Sequence, residues 1–499
     1  MQSDKDQVFD WSAGAALPDD LRDAVTGAET DTLTVDPGLG RLFADLRPGR
    51  CRMSRDPRAL LAGLDPALSD RALSHFLHHG FVPAPGTVHV DVARLGFGDR
   101  LRVTRRGETF EASFTYEPIF RNARSREDRV PSTDRLLELL VGAVQRWLGD
   151  RSSVLMLSSG KDSVALALAC REAGRDDVRA ITFASEPDED EAVDAAAFAK
   201  QLGVPHETVV LPDDRTEIEP IVTRCFEHAT EPCGDPTLVP YLLGVARAGM
   251  QPGEGLIDGL NNDSWIGYVP SAAEHRNSRI ADRWLAWLRP FRGMFPPEHP
   301  LSAALRTRAE WHFFGGRWLR HTDTKRFFDG SIDTHAEWAR ESRARRDLDD
   351  FDFRSEVRGR HADQNAMVVK AYVAAEITGT RALFPFVDRD LIDFWFHLPE
   401  ASRFDRERLV NKVLLRQLLR ERVGYDDARI GKRTFQFDGP RFLTQHRRWV
   451  EHEITQCPLW SGAVRGVIDR QLDRPAALQK TWPSLMALFQ LSGWVRRHL

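Results

Sequence analysis

Three serines, a glycine, a lysine and an aspartate follow one another between an apolar stretch and a helix-forming segment. They are Ser158, Ser159, Gly160, Lys161, Asp162 and Ser163. In such a loop the backbone N–H groups converge, the helix dipole adds partial positive charge, and glycine lets an oxyanion approach closely. The serine hydroxyls and the lysine can bind the same anion. These residues therefore predict a phosphate-binding loop.

Asp162 does not suit a simple anion site, because a carboxylate repels phosphate. A magnesium ion between this carboxylate and a pyrophosphate group explains its presence most simply. The spacing also differs from the G-x-x-x-x-G-K-S/T loop of Walker-type ATPases. We therefore expect a metal-assisted phosphate site of another kind.

Strands and helices alternate around this loop. Ser132 is a good helix cap, and leucines and valines recur after it at helical spacing. The pattern then predicts strand 154–157, helix 164–172, strand 178–183, helix 191–202 and strand 208–211. This order is typical of an α/β fold with a doubly wound parallel sheet. Beyond about residue 270 the pattern becomes mainly helical.

The loop resembles the pyrophosphate loop (PP-loop) of the ATP pyrophosphatase superfamily, and segments from about 130 to 440 resemble the synthetase half of asparagine synthetase and β-lactam synthetase. Residues 255–263, followed by Gly267 and Tyr268, are similar to the family's strand and loop S-G-E-G-x-D-E…G-Y. The resemblance implies that Asp258 and Gly259 lie beside the nucleotide. It also implies that Asp263 joins Asp162 as the second acidic partner of magnesium and pyrophosphate.

Three further matches follow in the order of the family. Residues 382–388 resemble E-A-R-x-P-F-L-D, although Arg381 and Leu383 replace its Glu and Arg. Residues 411–416 resemble the K-x-x-L-R helix. The segment around Lys432 resembles the R-x-K-x-x-F signature, which implies that this lysine stabilises charge on an acyl-adenylate and pyrophosphate.

Leu260 departs from the family pattern. Asparagine synthetases have Glu at this position, and β-lactam synthetase has a Tyr that belongs to a base-activating dyad. Leucine accepts neither a proton nor a hydrogen bond. A base for an attacking amine must come from elsewhere or from the substrate, and Glu356 and Glu376 are candidates by their position in the following helical region alone.

The N-terminal part resembles a shortened amidotransferase domain, most clearly over residues 73–101. Glutamine-dependent family members begin with Met-Cys, whereas this chain begins Met1-Gln2-Ser3 and has its first cysteine at Cys51. We therefore do not expect glutaminase activity. The expected division is a loosely ordered lead-in at 1–35, a degenerate amidotransferase-like (Ntn) α+β domain at 36–125, and an ATP pyrophosphatase domain at 126–499.

Local patterns predict the elements of the N-terminal part. Strands are expected at 87–90 and 101–103, and helices near Leu60 and at 73–79. A polar linker is expected at 121–131, because that stretch has four arginines and no apolar cluster.

Composition excludes several classes of protein. The 499 residues carry a net charge of -5, and basic runs are followed by acidic ones, so we expect no nucleic-acid partner. The five cysteines have no C-x-x-C spacing, which disfavours a zinc site, a redox dithiol and sulfur transfer to tRNA. The sequence shows no signal peptide or membrane span, so we expect a cytoplasmic protein.

The resemblance implies an AMP-forming amide ligase with ATP and Mg²⁺ as cofactors. A small-molecule or peptide carboxylate would be adenylated and then joined to an amine, in specialised metabolism of the β-lactam synthetase or lasso-peptide cyclase kind. An ammonia-dependent asparagine synthetase and a catalytically decayed nucleotide-binding protein stay open as alternatives. A homodimer and a biosynthetic partner protein stay open as assemblies.

Overall fold

The computed structural model describes residues 8–13, 17, 21–22, 24–29, 31–36, 41–61, 67–96, 98–116, 128–186, 188–284, 287–289, 291, 301, 305–312, 319–431 and 437–499. Within these residues, two antiparallel sheets form in the N-terminal part and one parallel sheet in the C-terminal part. None of the helices described combines the length and the apolar character needed to cross a membrane.

The parallel sheet has five strands, ordered across the sheet as His206–Val210, Val178–Ala184, Ser153–Met156, Gly255–Ile257 and Arg381–Leu383. In chain order this arrangement is 3-2-1-4-5, the order of a doubly wound sheet. The strand order reverses between Ser153–Met156 and Gly255–Ile257. Ligands of such folds bind at the carboxyl ends of the strands where this reversal occurs. The predicted fold class is confirmed.

The elements predicted from periodicity are confirmed to within three residues. The first helix runs over Thr133–Leu148, and the Ser132 hydroxyl caps it by accepting from the Arg135 N–H at 3.2 Å. Helix Lys161–Glu172 follows the loop, and helix Asp190–Leu202 ends at Gly203, whose φ of 69° suits glycine. Four further helices are described between residues 212 and 284, and they are Arg215–His228, Leu238–Arg247, Asn262–Ile266 and Ala272–Trp284.

The C-terminal part is mainly helical, as predicted. After residue 300 the described helices are Arg308–His312, His321–Thr324, His335–Ala344, Asp350–Val357, the π-helix Arg358–Met367, Val368–Thr378, the 3₁₀ turn Pro385–Val387, Arg389–His397, Glu400–Arg403, Val413–Val423, Asp427–Ile430, Gly439–Gln445, Arg447–Thr455, Val464–Leu472 and Pro475–His498. A short antiparallel pair joins Phe404–Asp405 to Val410–Asn411. The long helix Pro475–His498 packs its middle into the main core, where Phe489 and Trp494 are buried.

The N-terminal part is built from two four-stranded antiparallel sheets. One contains Phe9–Asp10, Arg52–Ser54, Leu42–Asp45 and Val92–Leu95, and the other contains Val25–Ala28, Thr32–Val35, Asp99–Arg106 and Thr109–Tyr116. Three of these strands lie in the stretch expected to be a loose lead-in. They are held there by buried apolar residues, since Leu33 pairs with Val103 across the sheet and both side chains are buried. Two helices, Pro57–Leu61 and Asp70–His79, lie where they were predicted.

The strand predicted at 87–90 is wrong, whereas that at 101–103 lies within Asp99–Arg106. The Thr87 hydroxyl lies 3.1 Å from the His89 carbonyl oxygen and 2.9 Å from that of Val92. Asp91 then turns the chain with a φ of 66°. Because the threonine side chain takes backbone groups that a strand ladder would use, only an isolated bridge between Leu68 and His89 forms.

Buried ion pairs join the N-terminal part to the C-terminal part. The Arg94 guanidinium lies 3.2 Å from the Glu231 carboxylate, and Arg41 pairs with the same carboxylate. Arg360 lies 2.8 Å from Asp99. Removing one member of such a pair would leave a buried charge uncompensated, so these contacts fix how the two parts meet.

Candidate active site

The predicted phosphate loop lies at the carboxyl end of Ser153–Met156, and its own serines shape it. The Ser163 hydroxyl accepts from the Ser158 N–H at 3.0 Å, and the Ser158 hydroxyl accepts from the Gly160 N–H at 3.1 Å. The two hydroxyls also lie 2.9 Å from each other. A Cβ on Gly160 would come within 2.9 Å of the Ser158 hydroxyl oxygen, so a larger residue at this position would displace that hydroxyl. Two of the three serines therefore hold the loop in shape.

Ser159 and Lys161 of the loop contact the segment that follows helix Val413–Val423. The Ser159 carbonyl accepts a hydrogen bond of 2.7 Å from the Tyr425 hydroxyl. The Lys161 ammonium lies 3.0 Å from the Asp427 carboxylate and 5.2 Å from the centre of the Tyr425 ring. Burial lowers the pKa of Lys161, and Asp427 opposes that shift. Lys161 thus has an acidic partner of its own, and its role in nucleotide binding stays a prediction.

Asp258 and Gly259 follow the neighbouring strand Gly255–Ile257 and lie against the loop. Asp258 accepts from the Tyr241 hydroxyl at 2.8 Å and from the Leu260 N–H at 3.1 Å. Burial raises its pKa. A Cβ on Gly259 would lie 3.2 Å from the Cβ of Asp162, so the two strand ends meet where the strand order reverses.

Asp162 and Asp263 converge on one positive charge, the ammonium group of Lys412. Its Nζ lies 2.5 Å from Asp162 Oδ2 and 3.0 Å from Asp263 Oδ1. Burial alone would lower the pKa of Lys412, but the two carboxylates outweigh it and raise that pKa. Asn262 donates to Asp162 at 2.6 Å, and Asn411 donates to Asp263 at 2.9 Å. The structure therefore brings together the two predicted acidic residues and adds a lysine to them.

This donor set suits a magnesium ion that is shared with phosphate groups. Magnesium commonly uses one or two protein carboxylates and takes its other ligands from water and substrate phosphates. Asp162 and Asp263 already face a common cation beside the loop. Among the described residues, no group of three or more His, Cys, Asp or Glu side chains is placed to hold a metal ion. A metal here would therefore need ligands from the substrate phosphates or from water. The carboxylates would thus hold the metal together with a bound triphosphate.

Lys432, the lysine expected to stabilise the acyl-adenylate, lies outside the described residues, as do 433–436. Helix Asp427–Ile430 and Gly431 are the last described residues before Lys432. That helix begins at Asp427, the partner of Lys161 in the loop. The contact brings the chain that leads to Lys432 to the phosphate loop, while the role of Lys432 stays a prediction.

A tyrosine–carboxylate pair that was not predicted lies beside Asp263. The Tyr268 hydroxyl donates to Asp363, and the Ser264 hydroxyl donates to the other oxygen of that carboxylate at 2.5 Å. Asp363 belongs to the π-helix Arg358–Met367, and a Cβ on Gly359 of that helix would lie 3.2 Å from Ser264. Helical distortions of this type occur frequently at functional sites. Tyr268 ends the segment that resembles the family pattern, but no local spacing in the sequence pairs it with Asp363.

The electrostatics of this pair suit proton transfer. Burial raises the pKa of Asp363 to about 6, and the nearby Asp263 carboxylate adds to the shift. Burial also raises the pKa of Tyr268 well above its usual value. The Arg358 guanidinium lies 4.8 Å from the centre of the Tyr268 ring. A base with a pKa near neutrality can accept a proton and release it again under ordinary conditions.

The two glutamates suggested by sequence position lie in other surroundings. Glu356 accepts from the Tyr116 hydroxyl and lies 3.7 Å from Arg345. Glu376 accepts from the N–H and the hydroxyl of Thr230 at 3.2 and 3.0 Å. Neither set of contacts includes a residue of the phosphate loop or the Asp162–Asp263 pair.

A family model described as asparagine synthase matches residues 135–496. The chain belongs to the asparagine synthase family. The match includes the phosphate loop, both aspartates, Lys412 and the Tyr268–Asp363 pair, and it begins after the N-terminal antiparallel sheets.

Similar proteins of the asparagine synthase family occur in mycobacteria. Relatives in Mycobacterium bovis (strain ATCC BAA-935 / AF2122/97) and Mycobacterium tuberculosis (strain ATCC 25618 / H37Rv), named as glutamine-hydrolyzing asparagine synthetases, are each 29% identical over 293 residues. The alignment covers 56% of this chain and 43% of each relative. The chain therefore matches less than half of the length of these relatives.

Proposed function

We propose that this protein is an ATP-dependent carbon–nitrogen ligase that forms AMP and pyrophosphate. A substrate carboxylate oxygen attacks the α-phosphorus of ATP, and the bond to the β-phosphate oxygen breaks. The resulting acyl-adenylate then reacts with an amine, which forms the amide and releases AMP. Membership of the asparagine synthase family supports this reaction class.

The observation that carries the proposal is the meeting of Asp162 and Asp263 around one cation beside the phosphate loop. The two residues follow the two strands between which the strand order reverses. A carboxylate pair beside an anion loop suits a triphosphate with its metal, which supplies charge neutralisation when bound. Lys412, and Lys432 from the adjacent segment, would offset negative charge on the leaving pyrophosphate.

The Tyr268–Asp363 pair would take the proton that the amine loses. As the amine nitrogen attacks the acyl carbon, its proton passes to the tyrosine oxygen while the tyrosine proton passes to Asp363. The hydrogen bonds and the raised pKa of Asp363 support this role. Such a base would compensate for Leu260, which cannot accept a proton.

The cysteines support a nitrogen source other than glutamine hydrolysis by this chain. All five are free and buried. Burial raises the pKa of Cys51, Cys170 and Cys457 to about 12, and the pKa values of Cys225 and Cys233 are also raised. A nucleophilic cysteine needs an accessible thiolate, whose pKa is usually lowered. The amine is therefore proposed to be a substrate amine, in specialised metabolism of the β-lactam synthetase or lasso-peptide cyclase kind.

Ammonia-dependent asparagine synthesis is the second candidate, since the two mycobacterial relatives are named as asparagine synthetases. Incubation with aspartate, ammonium, ATP and magnesium would decide between them. Formation of asparagine would establish the second candidate and overturn the proposed substrate-amine reaction.

A screen of carboxylates for pyrophosphate release from Mg·ATP tests the proposed reaction. A carboxylate that is a substrate should give pyrophosphate, and Asp162→Asn and Asp263→Asn should each abolish the release. Lys432→Ala should do the same. If both aspartate variants retain full release, the assignment of the site is wrong.

A further inference from the structure

Lys412 occupies an unusual position for a lysine side chain. Its ammonium is enclosed between Asp162 and Asp263, and only 9% of the side chain is exposed. The residue is also the N-cap of helix Val413–Val423, with a left-handed φ of 61°. A positive charge at the N-terminal end of a helix is unfavourable with respect to the helix dipole. The two carboxylates, and not the helix, therefore hold this ammonium in place.

A second feature of the same cluster, the side chain of Asn262, suits a cation ligand. The Asn262 side chain is buried, with 1% exposure, and its amide nitrogen donates to Asp162. This contact fixes the orientation of the amide, because the reverse orientation would set the amide oxygen against a carboxylate. The amide oxygen has no hydrogen-bond partner within the described part of the chain. Buried acceptors are usually satisfied, and amide oxygens are ligands for hard divalent cations or for their bound water.

The charge of the cluster also favours exchange with a divalent ion. Asp162 and Asp263 together carry two negative charges when ionised, and Lys412 supplies a single positive charge. A divalent cation would neutralise both carboxylates and would satisfy the Asn262 oxygen directly or through water. The lysine would then be free to donate to an anion beside the metal.

We propose that Lys412 is an internal counter-ion that occupies the divalent-cation site in the nucleotide-free protein. Asp162 and Asp263 would release the ammonium and hold the metal that accompanies a bound triphosphate, and the ammonium would then bind the phosphate groups. Free metal alone competes poorly with Lys412, so the site accepts metal together with nucleotide. This inference rests on the proposed nucleotide site, but not on the identity of either substrate.

Manganese binding without nucleotide tests this inference directly. Mn²⁺ is titrated into the full chain, and the electron paramagnetic resonance signal of free Mn²⁺ reports binding. Lys412→Met removes the ammonium and keeps a side chain of similar length. We expect this variant to bind one Mn²⁺ at least tenfold more tightly than the wild type. Lys412→Gln should show the same gain, and it serves if the Met variant does not fold.

Two controls distinguish the cation site from a general change in charge. Lys200→Met removes the charge of an exposed lysine on helix Asp190–Leu202, away from the aspartate pair in the sequence and in the fold, so it should leave the Mn²⁺ affinity at the wild-type level. Adding Asp263→Asn to Lys412→Met should reverse the gain. Equal Mn²⁺ affinities of the wild type and both Lys412 variants would overturn the inference and leave Lys412 a structural ion-pair partner.

The outcome is separable from that of the proposed ligase reaction. The titration contains metal and protein only, so it does not depend on finding a carboxylate substrate. Pyrophosphate release with no gain in Mn²⁺ affinity would reject the counter-ion role and keep the ligase. A gain in Mn²⁺ affinity in a protein that forms ADP would keep the counter-ion role and reject the ligase.

Discussion

At the scale of single residues, Asp363 connects the structure to the second half of the reaction. Its carboxylate accepts from Tyr268 and Ser264, and burial raises its pKa to about 6. Asp363→Asn keeps the size of the side chain and removes the proton acceptor. We expect amide formation to fall by about 10²- to 10⁴-fold, the usual contribution of a general base. Pyrophosphate exchange into ATP, which needs only adenylation, should change little.

The pH dependence gives an independent measure of the same group. A base must be deprotonated, so the rate of amide formation should decrease as the pH falls through about 6. The rate of adenylation should not show this decrease, because Asp363 takes no part in that step. Asp363→Glu should restore part of the rate, whereas a structural role would respond equally to both variants. Equal losses of exchange and of amide formation in Asp363→Asn would contradict a role confined to the second step.

Gly259 tests the contact between the two strand ends. A Cβ at this position would come 3.2 Å from the Cβ of Asp162 and 3.4 Å from the Ser163 nitrogen. Gly259→Ala should therefore displace the loop and weaken Mg·ATP binding by about tenfold, equivalent to roughly 1.4 kcal/mol, with little change in the unfolding temperature. Isothermal titration calorimetry would measure this change.

Gly462→Ala is the matched control for Gly259→Ala. A Cβ on Gly462 would meet no atom within 4 Å, so Mg·ATP affinity should stay at the wild-type level in that variant. If the two alanine variants bind Mg·ATP equally well, Gly259 does not support the loop as described.

The residues of the site could be predicted only where a local pattern marked them. The loop at 158–163 combines small residues with a preceding strand, so the sequence identified it. The contact of Lys412 with Asp162 spans 250 positions of the chain, and no local spacing reports it. The pairing of Lys161 with Asp427 was likewise invisible, because it depends on how helix Asp427–Ile430 packs.

At the scale of elements, helix Asp70–His79 carries buried histidines into the contact with the C-terminal part. The two ring nitrogens of His78 lie 3.0 and 2.9 Å from the hydroxyls of Thr334 and Thr324. Burial lowers the pKa of His78 to about 4 and that of His75 to about 3. The folded protein therefore holds both imidazoles in the neutral form at pH 7.

This burial predicts a loss of stability in mild acid. An unfolded histidine takes up a proton below a pKa of about 6.5, whereas the folded pKa is lower, so stability present above pH 6.5 is lost as the pH falls toward 4. Each histidine should contribute a slope of about 1.4 kcal/mol per pH unit in that window. Thermal unfolding at several pH values between 7 and 5 would measure it.

In His78→Gln the free energy of unfolding should fall less steeply with decreasing pH, because the contribution of one histidine to the slope is removed. This change in slope is expected whatever the stability of the variant at pH 7. His452 is exposed, so His452→Gln should keep the wild-type slope. An unchanged slope in His78→Gln would show that this ring is not held neutral by the fold.

The secondary-structure elements were predicted accurately where the local sequence pattern is clear, and poorly where tertiary contacts determine the conformation. From 132 to 211 the strand and helix periods are clear, and the element bounds agree within three residues. The strand Val25–Ala28 contains Gly27 and alternates between half-buried and exposed positions, so its pattern is weak. The π-helix Arg358–Met367 adds residues per turn where the chain packs on Ser264, and composition does not encode that shift.

At the scale of the whole molecule, Glu231 is one of the residues that join the N-terminal part to the C-terminal part. It pairs with Arg94 and Arg41 in a buried position. Glu231→Gln removes the negative charge and leaves both guanidinium groups buried. We expect a loss of about 3–5 kcal/mol in the free energy of unfolding, as for other broken buried pairs.

Glu217 provides the matched control, because its pair with Arg247 is largely exposed. Glu217→Gln should change the free energy of unfolding by about 1 kcal/mol or less. Urea unfolding of the two variants would compare them. Similar small losses in both would mean that the Glu231 pair does not fix the junction between the two parts.

The products of ATP cleavage test the central claim most directly. Phosphorus NMR of the full chain with Mg·ATP and a carboxylate that supports turnover would distinguish the two possible bonds. We predict AMP and pyrophosphate in equal amounts, and neither product with Asp162→Asn or Asp263→Asn. Formation of ADP and inorganic phosphate instead would contradict the account, because the loop and the aspartate pair would then serve transfer of the terminal phosphate.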